Sequence, residues 1–371
     1  VLRVLNEPTA AAMSYGLSKD KNGTVLVYDL GGGTFDVTIM DINNGDFDVL
    51  ATDGNRNLGG FDFDNRIAEY VFDQIKEQGI TRDVRTDDLL VAEIREKAEI
   101  AKKSLTTVAQ TSIMLTIDGQ HVRIKMTRDE FESRTEDLLN TTKELVEDAM
   151  ENAGKSWSDI DHLLLIGGST RMPMVKKMMA NLSGKNPELN VNPDEAVALG
   201  AAIQAYVSAI ESGNSEQGGG VPAVIGGELI TINVSDVTSQ ALGVILLNDR
   251  DQDENFVVIP KNAKIPTKGE QHARTVVDQQ TSILVRVTQG EDSEVKYVTE
   301  IGSKEIPVPP YPKGSPFTVS YAYDIDQTVY VELFDNTKGV VVRKFEIDRL
   351  MNMDEEEVEN AMRRINEMDI Q

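Results

Sequence analysis

The chain has 371 residues, with 62 acidic and 37 basic side chains, a formal charge of −25, no cysteine and 40% hydrophobic residues. That length predicts about two or three domains, and the acidic excess opposes a phosphate backbone, which excludes a general nucleic-acid binder. Absence of cysteine excludes disulfides, thiolate metal sites and a cysteine nucleophile, and fits a reducing, cytoplasmic setting. No apolar run approaches the roughly 20 residues a bilayer span requires, so no membrane association is expected. Val1 leads directly into a motif, with no initiator methionine, signal peptide or polar leader, so the chain reads as cut rather than begun.

Residues 23–39 hold a β-branched run, a glycine turn and a second alternating run, which predicts a β-hairpin with a glycine-rich tip. A strand is expected at 47–52, and helices at 62–78, 89–105 and 128–152. Residues 162–166 (HLLLI) read as a short strand buried on both faces, ending in Gly167-Gly168. Pro173 opens a helix, and Asn192-Pro193-Asp194 starts another that runs to about residue 210. Interleaved strands and helices predict α/β layers up to this point.

Residues 212–227 are rich in glycine and serine and read as a flexible linker. Beyond them the period-two runs at 282–289, 317–323 and 329–333 predict an all-β sandwich of about 110 residues. Pro307, Pro309, Pro310, Pro312 and Pro316 are expected to punctuate a loop between two of its strands. Residues 353–368 are expected to form a charged helix with no core of their own. The expected domains are 1–211, a linker at 212–236, the sandwich at 237–350 and a terminal helix at 351–371.

Three motifs carry candidate chemistry. In Asp29-Leu30-Gly31-Gly32-Gly33-Thr34-Phe35-Asp36 the glycines let backbone N–H groups approach a phosphate, Thr34 offers a hydroxyl, and the flanking carboxylates suit water around Mg²⁺. A hairpin turn with solubilising acids is the competing reading. Gly167-Gly168-Ser169-Thr170-Arg171 follows a buried strand and precedes a helix, which suits a nucleotide or a simple packing turn. Glu99, Lys102, Lys103 and Thr106 share one helical face, which suits either an adenosine or solvent. In the adenosine reading, Lys103 and Arg171 lie on opposite faces of the ring. Gly154-Lys155-Ser156 is not a P-loop, because the glycine required five residues earlier is Ala149. The three histidines, His121, His162 and His272, have no metal-ligand spacing.

These motifs, with Asn6-Glu7-Pro8-Thr9-Ala10-Ala11-Ala12, Leu58-Gly59-Gly60-Phe61-Asp62-Phe63-Asp64, Asn192-Pro193-Asp194-Glu195-Ala196, Ile265-Pro266-Thr267-Lys268 and Gln289-Gly290-Glu291, occur in an order that resembles the seventy-kilodalton heat-shock chaperones of the DnaK type. The resemblance covers essentially the whole chain. It implies an actin-like, ribonuclease H-like α/β ATPase lobe, then an all-β peptide-binding sandwich and the start of a helical lid. It implies ATP or ADP with Mg²⁺ and potassium as ligands. The implied partners are unfolded polypeptides, a J-domain co-chaperone and a nucleotide exchange factor.

By the same resemblance, Glu7, Asp29, Asp36 and Thr34 surround the attacking water, with Asp29 and Asp36 holding Mg²⁺ through water. Gly31, Gly32, Gly33 and Thr34 form a phosphate loop, and Gly59 and Gly60 lie beside it. Glu99, Lys102, Lys103, Thr106, Gly167, Gly168, Ser169, Arg171 and Asp194 contact the nucleotide. Leu246, Leu247, Val276, Ile283 and Val285 fall where the family places its peptide channel, although a sandwich core needs such residues too. Ala273, where the family often has a bulky residue, implies a more open channel.

Four departures bear on activity. The family's first phosphate loop and catalytic lysine are expected upstream of Val1, so poor ATP hydrolysis is expected of this chain. Phe61 stands where an acidic residue is usual, so weaker contacts at that edge of the cleft are expected; Ile232-Asn233-Val234-Ser235 matches a more apolar linker in the family, so weaker coupling between domains is expected. Only the first turns of the lid are present. Two other readings compete: a degenerate relative that binds peptide without ATP control, and an actin-like small-molecule kinase, against which the sandwich speaks.

Overall fold

The computed structural model describes residues 3–16, 22–80, 82–188, 191–213, 221–225 and 228–347. The chain divides into two compact units, Val1–Val237 and Thr238–Gln371. The expected terminal helix at 351–371 lies outside the described residues.

The first unit contains α1 (Glu7–Gly16), β1 (Gly23–Leu30), β2 (Phe35–Asn43), β3 (Asp46–Asn55), α2 (Gly60–Glu77), α3 (Asp88–Leu105), β4 (Gln110–Ile117) and β5 (Gln120–Thr127). It continues with α4 (Arg128–Arg134), α5 (Glu136–Asn152), β6 (His162–Ile166), α6 (Pro173–Ser183), α7 (Ala196–Gly213), β7 (Val221–Ile225) and β8 (Glu228–Ser235). Its main sheet runs β6-β1-β2-β3-β8-β7. β1 pairs antiparallel with β2 and parallel with β6, so the strand read as buried on both faces lies beside the hairpin.

Alternation along β1 divides the core. Leu26, Tyr28 and Leu30 join a cluster with α2, α3 and α5, whereas Val25 and Val27 join one with α1 and β6. Apolar layers on both faces explain why these strands read as continuous hydrophobic runs. On one face, the buried Tyr28 hydroxyl donates to Thr142 Oγ1 at 2.8 Å and ties α5 to the sheet. On the other, α1 packs against α7 at Gly200, where an added Cβ would lie 1.7 Å from the Ala10 carbonyl oxygen.

Three expectations change. The helix expected at 128–152 is interrupted at Thr135, whose φ of −118° leaves the helical region. Its hydroxyl donates to the Phe131 carbonyl at 2.8 Å, the local side-chain competition that disfavours threonine within helices. The hairpin β4–β5 was not expected, although Ile113, Leu115 and Ile117 alternate inward. The segment expected as a linker, 212–236, contains β7 and β8, and β8 adds to the main sheet parallel to β3. Asn233 N–H donates to the Gly45 carbonyl at 3.0 Å, and Ile232 and Val237 are buried.

The second unit is a sandwich of two four-stranded sheets. One comprises β9 (Leu242–Leu247), β10 (Asp253–Ile259), β12 (Gln280–Gln289) and β13 (Thr299–Tyr311), in the order β10-β9-β12-β13. The other comprises β11 (Thr267–Arg274), β14 (Pro316–Tyr323), β15 (Val329–Asp335) and β16 (Val340–Glu346), in chain order. Inward residues such as Val244, Val285, Val287, Phe317, Tyr321 and Leu333 fill the space between them. The proline-rich segment corrects the expected loop: Pro307, Pro309 and Pro310 lie within β13, and Pro316 begins β14. β13 is an edge strand, where a missing N–H faces no partner.

Among the described residues no helix is long and apolar enough to cross a membrane.

Candidate functional site

The first unit brings its glycine motifs together. Antiparallel pairing of β1 and β2 sets Asp29 opposite Asp36, with residues 31–34 as the connecting turn. The turn closes through Gly31 N–H donating to the Thr34 carbonyl at 3.0 Å. The first amides of α2 then clamp the turn from outside. Gly60 N–H donates to the Gly31 carbonyl at 2.9 Å, and Phe61 N–H to the Gly32 carbonyl at 2.8 Å. Glycine is required at 59, because an added Cβ would lie 2.5 Å from the Gly33 backbone. The same helix start is capped by Asp62, whose carboxylate accepts from Gly59 N–H at 2.8 Å.

The third glycine motif arrives from β6. Gly167 has φ +82°, and a Cβ there would lie 2.4 Å from the Leu30 carbonyl oxygen, so both conformation and space demand glycine. Ser169 Oγ donates to the Gly31 carbonyl at 2.9 Å, which joins this turn to the β1–β2 turn. Gly167 N–H donates to the Pro193 carbonyl at 3.2 Å, and Arg171 pairs with Asp194 at 2.5 Å. Gly31, Gly59, Gly60, Gly167, Ser169, Arg171 and Asp194 are therefore connected through four segments separate in sequence.

At Gly32 and Gly33, by contrast, an added Cβ would meet nothing within 4 Å. Among the described residues no backbone carbonyl accepts from the amides of either glycine. This open, amide-bearing tip fits a phosphate group.

The carboxylates are electrostatically strained. Burial first, then the neighbouring Glu7 and Asp36, push the Asp29 carboxyl up to about 7. Burial and Glu7 push Asp36 up to about 6, opposed by a hydrogen bond from Thr34. Three acids at one place, two of them held above the normal carboxylate range, fit a cation that relieves their repulsion. Among the described residues no cluster of three or more His, Asp or Glu side chains is arranged to ligate a metal directly.

On α3 the expected face divides. Glu99 and Lys103 are exposed and pair with each other at 2.7 Å, and the Thr106 hydroxyl donates to the Lys103 carbonyl at 2.7 Å. Lys102 is buried instead, donating to the Gly60 carbonyl at 2.7 Å and to Asp64 Oδ2 at 2.8 Å. Sequence reasoning missed Asp64; the signal was a second acid two residues after the capping Asp62, on the opposite side of the helix. Phe61, half-exposed beside the turn, lies under the Arg95 guanidinium at 5.9 Å.

In the sandwich, Leu247 and Val276 are each 41% exposed, Leu246 and Ile283 are half-buried and Val285 is 1% exposed within the core. A separate cavity of about 460 Å³ beside α5 and α6, lined by Leu139, Lys143, Met174, Lys177 and Leu182, shares no residue with the glycine motifs.

An α/β lobe with converging glycine turns, followed by an antiparallel sandwich, defines a two-part class in which an α/β lobe precedes a β domain. The family model described as Hsp70 protein matches residues 1–371, so the chain belongs to the Hsp70 family. Chaperone protein DnaK of Thermotoga petrophila is 40% identical over 350 residues, which cover 91% of this chain and 56% of that protein. Those of Thermotoga neapolitana and Thermosipho africanus are each 41% identical over 91% of this chain. The chain spans about half the length of the curated relatives it matches.

Proposed function

We infer that the first unit binds ATP or ADP with Mg²⁺, and that the second binds extended apolar segments of unfolded polypeptides under nucleotide control. The observation that carries this reading is the convergence of the three glycine motifs on Asp29 and Asp36, in a chain that continues into a sandwich. Gly32, Gly33 and Thr34 would hold phosphate oxygens through backbone amides and a hydroxyl. Glu7, Asp29 and Asp36 would orient Mg²⁺-bound and attacking water, with potassium as a further ion. Glu99, Lys103 and Thr106 from α3, with Gly168, Arg171 and Asp194 opposite, would frame the adenosine, and Lys102 lies at the inner edge of this group.

When bound, Mg·ATP supplies the phosphoryl group whose hydrolysis would alternate the two peptide-affinity states. The chain's own contribution is positioning and electrostatic stabilisation, not a covalent intermediate. Leu246, Leu247, Val276 and Ile283 would form the peptide channel, with Val285 packed in the core behind them and backbone hydrogen bonds holding the extended ligand. A J-domain co-chaperone and a nucleotide exchange factor are the proposed partners, in a cytoplasmic setting.

Titration of the chain with ADP in Mg²⁺ by calorimetry, and with a labelled apolar heptapeptide with and without Mg·ATP, tests the reading. Saturable binding of both ligands is expected. Absence of nucleotide binding, with peptide affinity unchanged by ATP, would leave a peptide-binding module without ATP control.

A further inference from the structure

We propose that Asn44 is a site of spontaneous covalent modification, cyclising onto the Gly45 nitrogen with Asn22 as the positioning residue, and that its conversion to isoaspartate releases β8 from the edge of β3. The inference goes beyond the nucleotide and peptide readings and depends on neither. Asn22-Gly23 and Asn44-Gly45 are the only Asn-Gly dipeptides in the sequence. The fold brings their asparagines together. Asn22 Nδ2 donates to Asn44 Oδ1 at 3.0 Å, and Asn44 N–H donates to Asn22 Oδ1 at 2.8 Å.

Asn44 and Gly45 form the two-residue turn between β2 and β3, closed by the pairing of Asn43 with Asp46. Their φ values are 49° and 96°, the left-handed turn geometry that Asn-Gly adopts at least cost. Asn44 is exposed, and among the described residues no carbonyl accepts from the Gly45 N–H. Glycine also carries no Cβ to obstruct a ring closing at its nitrogen. Asn22 Nδ2 lies on the oxygen where negative charge develops when that nitrogen attacks Asn44 Cγ, which is the placement of an oxyanion-stabilising donor.

The reaction balances with water as its only co-reactant. The Gly45 nitrogen bonds to Asn44 Cγ and gives up its proton; the Cγ–Nδ2 bond breaks, and the amide nitrogen leaves with that proton as ammonia. Water then opens the succinimide at one carbonyl to give aspartate, or at the other to give isoaspartate, whose backbone runs through Cβ and Cγ. β8 is anchored at this turn. Asn233 N–H donates to the Gly45 carbonyl at 3.0 Å and Asn233 Nδ2 to Asp46 Oδ1 at 2.6 Å, where the parallel pairing of β3 with β8 begins. An extra backbone carbon before Gly45 displaces that carbonyl, and the ladder it starts covers only Asp46 to Asp48.

The full chain should be aged at mildly alkaline pH, folded and in parallel unfolded in urea, then mapped by proteolysis, mass spectrometry and enzymatic isoaspartyl methylation. Asn44 is expected to convert in the folded chain. Asn22→Ala should slow this by about threefold to tenfold, as should Asn22→Asp, which keeps the acceptor for Asn44 N–H and removes only the donor. Amide exchange at Asn233 should accelerate in the isoaspartate form while β1 and β2 stay protected. Asn44→Asp, with the charge but the ordinary backbone, should keep Asn233 protected.

An Asn44 that survives in the folded chain while converting in urea would overturn the proposal. So would a rate unchanged by both Asn22 variants, or Asn233 exchange that is the same before and after isoaspartate forms. If Asn22→Ala does not fold, Asn22→Asp carries the same comparison.

Discussion

Replacing Asp29 by asparagine should stabilise the first unit at alkaline pH and abolish its response to Mg²⁺. Asp29 is 7% exposed and lies opposite Asp36 across the β1–β2 pair. Its carboxyl is held up at about 7, against 3.8 for the free group. The folded state therefore holds this proton more tightly than the unfolded state. The resulting stability is fully present below about pH 4 and is lost as pH rises through about 7. A change from 3.8 to about 7 corresponds to about 4 kcal/mol as a ceiling. Coupling to Glu7 and Asp36 shares that cost among three groups, so a gain of about 2 kcal/mol for Asp29→Asn at pH 8, and none at pH 4, is expected.

Urea unfolding followed by circular dichroism and Trp157 fluorescence between pH 4 and 8.5 measures the effect. The difference between variant and wild type cancels the titrations that are not coupled to Asp29. Millimolar Mg²⁺ should stabilise the wild type at pH 8 but not at pH 5, and should leave the variant unchanged. A variant less stable than wild type at pH 8 in the absence of Mg²⁺ would refute the electrostatic account.

Two glycine substitutions separate space from function. Gly167→Ala should cost about 2–4 kcal/mol in urea unfolding, because its left-handed φ and the 2.4 Å approach to Leu30 act together. Gly32→Ala should leave stability within about 0.5 kcal/mol, since its Cβ meets nothing, yet weaken ADP binding in calorimetry. In the sandwich, Val276→Glu should reduce apolar heptapeptide affinity by at least about tenfold, read by fluorescence anisotropy, with little change in melting, since the position is 41% exposed. Tyr321→Phe removes the buried hydroxyl that donates to the Gly243 carbonyl at 2.8 Å and should destabilise the second unit by about 1–2 kcal/mol in urea.

Much of this was legible locally. The hairpin of β1 and β2 follows from alternating β-branched residues around three glycines, and β6 from a short apolar run ended by Gly167. Glycine was an effective signal because two of these positions, Gly59 and Gly167, have no room for a Cβ at all. Elements with mixed signals were missed or misplaced. Thr135 sits inside a helical period but breaks it through its own hydroxyl, and the prolines of β13 suggest a loop wherever a strand is assumed to have neighbours on both sides. Residues 228–235 look like a linker by their glycine-rich flank, but become a strand because the open edge of β3 accepts them.

Composition, periodicity and glycine spacing by themselves determined the two-part plan, the α/β lobe before the sandwich, and where the glycine turns fall. Those properties depend on residues adjacent in sequence, where period and chain flexibility act directly. Tertiary structure alone decided that Gly60 N–H and the Ser169 hydroxyl, the latter more than a hundred residues away, both donate to the Gly31 carbonyl, and that Asp29 and Asp36 strain each other. It alone divided neighbouring lysines, sending Lys103 to solvent and Lys102 inward to Gly60 and Asp64. Helical spacing places both on one face, but only a neighbouring helix start with a carbonyl to satisfy selects which of them is buried.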